Sequence, residues 1–250
     1  MIVSAMLRHA WWSIRGRFLV AGMVVVTHAA ILALGFRRVA GGVPSNWELS
    51  AADRAQIEAL AQVPYDVYLG QTWAGGGLAS FLTVIAVALA VGGVAAERRQ
   101  QTLDLTLSLP ARRGGWLIAR GALVMALATL LALISAVVVA GIGVAMGHPI
   151  PAGTMLGTIL LAGVGAAHAA ALGLFSTTIT RDSVAALLLG LGVLYLLGGV
   201  GESASVWAPG GWQDLGRWSA APPWRSLAAW LGVVVLGAGG AIWRFSRTDV

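Results

Sequence analysis

Few residues in this chain are equipped for covalent or proton-transfer chemistry. A phosphate-binding loop needs Gly-x-x-x-x-Gly-Lys-Ser/Thr, in which the Lys reaches the phosphates. The chain has no Lys, so any ATP hydrolysis tied to it must occur on another polypeptide. It has no Cys, which excludes disulfides and thiolate-bound metals. Gly-Leu-Phe-Ser at 173–176 is not a nucleophile elbow, and no paired carboxylates or His-Glu-x-x-His motif fall within an apolar run. His168 lies two helical turns from Ser176, a spacing that serves polar helix contacts better than a Ser–His dyad. Met146, His148 and Met155 offer soft ligands around a short turn, the one grouping that would suit copper. His28 and His168 are the only ionisable groups well inside apolar runs, too few for a proton or ion path. We therefore expect no catalytic residue, no metal site and no cofactor in this chain.

The elements that carry these residues belong in a membrane. Hydrophobic residues make up 58% of the 250 and charged residues only 10%, against about 25% charged in a soluble domain. Mean hydropathy is +0.83. The formal charge of +6 is not a nucleic-acid footprint, because the Arg residues stand at the ends of apolar runs.

About 20 apolar residues cross a bilayer. Six runs qualify, at about 18–36, 77–96, 119–146, 154–175, 184–201 and 226–243. The first is longer than a signal-peptide core and lacks an Ala-x-Ala cleavage site, so it reads as a retained helix. The fifth carries Gly190, Gly192, Gly198 and Gly199, and its outer end is expected to unwind. With the N-terminus in the cytoplasm, eleven Arg residues fall inside and five outside, which places both termini in the cytoplasm. Residues 2–17 put Ile2, Val3, Met6, Leu7, Ala10, Trp11 and Ile14 on one helical half and Ser4, Arg8 and Arg15 opposite, the pattern of an amphipathic surface helix. In the outer loop, 37–76, helical spacing is expected over 50–63. Residues 202–225 hold Trp207, Trp212, Trp218 and Trp224 among Pro and Gly, as in a headgroup belt.

The inner segment 97–120, ERRQQTLDLTLSLPARRGGWLIAR, is the most informative. Leu103, Leu105, Leu107 and Leu109 alternate with polar residues, which by period alone reads as a strand. An isolated strand would leave its backbone unpaired. A helix satisfies it, and then Leu103/Leu107 and Leu105/Leu109 form opposite stripes, so such a helix must sit between two partners, the bundle and a cytoplasmic protein.

At these residues the chain resembles the ABC-2 permeases, the membrane subunits of type V ABC exporters. Those proteins carry Glu-Arg after the second span, two variable residues, Gly-Thr-Leu-Glu-Leu, then Pro-x-x-Arg and a Lys seven residues on. Glu97-Arg98, Thr102-Leu103-Asp104-Leu105, Pro110 and Arg113 fit that pattern, and Arg120 stands at the Lys position. Gln101 replaces the usual Gly, so the turn into the helix differs. The loop is similar to those of nitrous-oxide-reductase maturation and gliding-motility permeases.

The resemblance implies an all-α domain over 1–250: six spans, an N-terminal amphipathic helix at 1–17, a cytoplasmic coupling helix within 97–115, and re-entrant helices between spans five and six. It implies a bacterial inner-membrane location and an ABC ATPase partner holding ATP and Mg. It implies also a second permease, this chain or a homologue, with a substrate path lined by spans one, two and five. Leu105 and Leu107 would pack against the ATPase, while Glu97, Arg98, Arg99, Arg112 and Arg113 would supply orienting ion pairs. Two other functions fit the same layout: transmission of force to a periplasmic protein, and a stand-alone secondary transporter.

Overall fold

The structure is a computed structural model and describes residues 2–40, 50–61, 63–70, 72–73, 78–99, 113–180, 182–204 and 224–247. Its elements are α1 (Ile2–Ala40), α2 (Ala51–Ala61), α3 (Tyr65–Leu69), α4 (Ala79–Arg99), α5 (Arg113–Ala145), α6 (Ala152–Ile179), α7 (Ser183–Ala204) and α8 (Trp224–Arg247). No strand occurs among the described residues. In hydrocarbon a helix satisfies its own backbone groups, so apolar runs of this length have little choice of form.

Four helical stretches are long and apolar enough to cross a membrane: Leu7–Arg38, Ser80–Glu97, Gly115–Ala145 and Ala152–Ile179. In α7 and α8 the apolar stretches are shorter among the described residues, Ser183–Leu194 and Val234–Arg244. The outward faces of the long helices carry Leu19, Val20, Met23, Ile31, Leu133, Val137 and Leu160, all exposed. A belt of that extent is a liability in water and ordinary in lipid.

Helix α6 is the hub, packing against α4, α5, α7 and α8. The middle of its inward surface is rich in alanine: Ala162, Ala166, Ala167, Ala169, Ala170 and Ala171 are buried. Small side chains let backbones approach closely. At Gly173 an added Cβ would lie 3.2 Å from the Cα of Val87, so α4 and α6 touch almost backbone to backbone. Helix α1 lies across α4 and α5, with α2 and α3 against it. Between α3 and α4, the Trp73 indole N–H donates to the buried Ser135 hydroxyl at 2.8 Å. The Arg244 guanidinium donates to the Thr178 carbonyl at 2.9 Å, a cation at the negative end of α6.

Two expectations change. Residues 2–17 are not a separate surface helix; α1 runs unbroken for 39 residues. At 1.5 Å per residue it is about 58 Å long, well beyond a hydrocarbon core of about 30 Å. One buried stripe, Ala10, Ile14, Phe18, Val25, Ala29, Ala33 and Phe36, continues through the expected boundary. Arg15 and Arg17 interrupt only the opposite, exposed side. Helix α7 does not unwind at Gly198 and Gly199 but stays helical to Ala204.

Gly143 and Gly147, spaced like a helix-packing pair, instead end α5. Gly147 has φ 78°, and the His148 and Gly147 N–H groups donate to the Gly143 and Val144 carbonyls at 2.8 and 3.1 Å. That is a Schellman cap with glycine at its left-handed position. The helix expected within 50–63 is present as α2, capped by Ser50, whose hydroxyl accepts the Asp53 N–H at 3.1 Å. The Leu-rich inner segment at 100–112 and the Trp-rich stretch at 205–223, where re-entrant helices are expected, lie outside the described residues.

Candidate functional site

The two ends of the inner segment are described, and a buried ion pair joins them. Glu97 sits in the last turn of α4 and Arg120 two turns into α5. The Arg120 Nη2 donates to the Glu97 Oε1, with Glu97 0% and Arg120 1% exposed. Neither charge is bearable alone in an apolar setting. Glu97 also stands at the negative end of α4, where a carboxylate is disfavoured. Its position follows from its partners.

Those partners come from two other helices, α1 and α5. The Nε2 of His9, on α1, lies 3.3 Å from the same Glu97 oxygen. The Arg120 Nη2 also donates to the Ser13 hydroxyl at 3.5 Å, and that hydroxyl donates to the Ala10 carbonyl at 2.7 Å. Trp116, one turn before Arg120 and buried, presents its ring to the guanidinium at 4.8 Å and its side chain hydrogen-bonds the Glu97 carboxylate. The whole cluster therefore fastens the N-terminal part of α1 to both stems of the 100–112 segment.

Room for the guanidinium groups comes from Gly92 and Gly93. An added Cβ at Gly93 would overlap the Arg120 guanidinium and meet Ile14 at 3.1 Å. One at Gly92 would lie 2.8 Å from the Nη1 of Arg17. The glycine pair is thus a flat shelf on α4, one turn before Glu97, on which two arginines from α1 and α5 lie.

Of the singled-out coupling residues, the structure joins Glu97 and Arg120 among the described residues. Arg98, Arg99 and Arg113 occupy the adjoining ends of α4 and α5. Thr102, Leu103, Asp104, Leu105, Leu107 and Pro110 fall within the residues not described. His9, Ser13, Gly92, Gly93 and Trp116 were not singled out. A Gly-Gly step one turn before a buried Glu is the one local signal that could have pointed to them.

The other chemistry-bearing groups disperse. Ser176 donates its hydroxyl proton to the Gly173 carbonyl at 2.8 Å, and His168 is eight residues away on the same helix, about 12 Å along its axis. Met146 and His148 border one cavity, which Met155 does not line, and both methionines pack against the core.

A helical bundle with four membrane-length helices among the described residues, three of them tied together at one end by a buried ion pair and its neighbours, has the build of a transporter's membrane subunit. The sequence pattern of the ABC-2 family transporter proteins matches residues 20–210, well over half of the chain, and the chain belongs to that family. No curated protein and no solved structure matches it.

Proposed function

We propose that this chain is the permease subunit of an ATP-driven exporter, coupled at residues 97–115 to a separate ATPase that holds ATP and Mg. The observation that carries the reading is the Glu97–Arg120 pair, which clamps both stems of that segment and, through His9 and Ser13, the start of α1. A push on the segment would then move α1, α4 and α5 as one body. Rigid groups with discrete arrangements are what transmit such a movement. The chain itself performs no hydrolysis and binds no cofactor.

In this reading α7 and α8 complete six spans, both termini face the cytoplasm of a bacterial inner membrane, and two permeases frame the substrate path. The apolar lining expected from spans one, two and five favours a lipidic, amphiphilic or peptide-like cargo. Replacing Leu105 or Leu107 with Asp is expected to abolish co-purification of the ATPase, since each places a charge in an apolar contact. Undiminished association and turnover in both variants would refute the assignment.

A further inference from the structure

At the opposite end of the bundle, a cavity of about 440 Å³ opens between the C-terminal ends of α1 and α5. Its walls are Phe36, Arg37 and Ala40 from α1, and Ala145, Met146 and His148 from α5 and the turn after it. The volume is within the range of small-ligand pockets, about 300–1,000 Å³. Two features make it a built site. His148 is fixed by its N–H bond to the Gly143 carbonyl at 2.8 Å, and its ring rests on Phe36 and Tyr65 at 5.5 and 5.7 Å between centroids. Arg37 is exposed beside it.

The charge balance favours an anion. Both helices point their negative ends here, but Arg37 and Arg38 occupy the last turn of α1 and outweigh them. Burial pushes the neighbouring Tyr65 phenol up to about 12, so it adds no negative charge.

The depth of the cavity and the surface below it favour a lipid as the source of that anion. Arg120 and Ala145 are 25 residues apart on α5, about 37 Å at 1.5 Å per residue, so the cavity lies roughly one bilayer from the ion pair. One turn below Arg37 is the exposed Leu34, and one turn below Ala145 is the exposed Gly141. A Cβ at Gly141 would meet nothing within 4 Å. Below the cavity, both helices therefore present exposed apolar surface with open space beside it.

We propose that this cavity is a phospholipid site, with the headgroup phosphate on Arg37 and His148 and an acyl chain along Leu34 and Gly141. The site does not depend on the transport reading. Native mass spectrometry of the detergent-purified chain tests it, with phosphatidylethanolamine, a diacylglycerol of the same acyl chains, and inorganic phosphate as probes. Phosphatidylethanolamine should survive activation that strips loosely held lipid, and the diacylglycerol should not. Arg37→Gln/His148→Gln should lower its retention about tenfold or more, as expected for losing a charge-assisted hydrogen bond. Gly141→Leu, which fills that open space without touching the phosphate, should lower it as well. Equal retention of the diacylglycerol would overturn the proposal, as would retention unchanged in the Arg37/His148 variant. Binding of inorganic phosphate with phosphatidylethanolamine retention indifferent to Gly141→Leu would assign the cavity to a free anion instead.

Discussion

Replacing Glu97 with Ala is expected to destabilise the bundle by about 3–5 kcal/mol, the effect of stranding one member of a buried ion pair. Arg120 would be left 1% exposed, with Arg17 as its nearest charge and no carboxylate opposite. Arg120→Met should be damaging too but less so, because His9 and Trp116 still reach the Glu97 carboxylate. The double replacement Glu97→Met/Arg120→Met should recover much of the loss, since a buried pair exchanged for apolar groups of similar size is often close to neutral. Transport by the assembled complex should stay impaired in the double variant, because the clamp between α1, α4 and α5 has gone. Thermal unfolding in detergent, followed by tryptophan fluorescence, measures the cycle. Strictly additive single effects would show that the two groups do not act together.

The second large effect is expected at Gly93. A Val there would drive its Cβ into the Arg120 guanidinium and against Ile14, so the ion pair must open or the helices must part. Overpacking alone costs about 1–3 kcal/mol. Loss of the pair brings the expected total to about 3–5 kcal/mol. Its neighbour is the control. Gly92→Ala meets only the far end of Arg17, an exposed and flexible side chain that can swing aside. Removing a mid-helix glycine returns about 0.5–1 kcal/mol, so Gly92→Ala should be nearly neutral. Unfolding curves of the two variants decide the point; similar losses at both positions would mean that the shelf has no special role at Arg120.

These expectations rest on contacts that only part of the sequence announces. Helix positions were legible, because a run such as 154–175 is apolar throughout and lipid leaves the backbone no alternative. Helix α2 was legible from the apolar spacing of Ile57, Leu60 and Ala61, although its Ser50 cap was not read. The boundary placed at residue 17 was not correct. Arg15 and Arg17 lower local hydropathy without affecting Ala10, Ile14 and Phe18, which form one stripe with the residues that follow. Hydropathy averages over faces, and packing does not. Glu97 and Arg120 were recognisable as residues, but their pairing depends on α4 and α5 lying side by side across a segment of ambiguous periodicity. His9 and Ser13 were out of reach for a related reason: nothing local says that the first two turns of α1 pass beside residues some ninety positions away.

The central claim is that a separate ATPase meets this chain on the inner segment between α4 and α5. The absence of Cys makes a direct measurement simple, because any introduced thiol is unique. Leu105→Cys and, at the other end of the bundle, Leu34→Cys would each be labelled with a short thiol-reactive photo-cross-linker in membranes that also contain the ATPase of the transporting complex. Leu105→Cys is expected to cross-link to the ATPase in a nucleotide-dependent way, and Leu34→Cys is not. Failure of Leu105→Cys to cross-link in a complex that still hydrolyses ATP and transports would contradict the account.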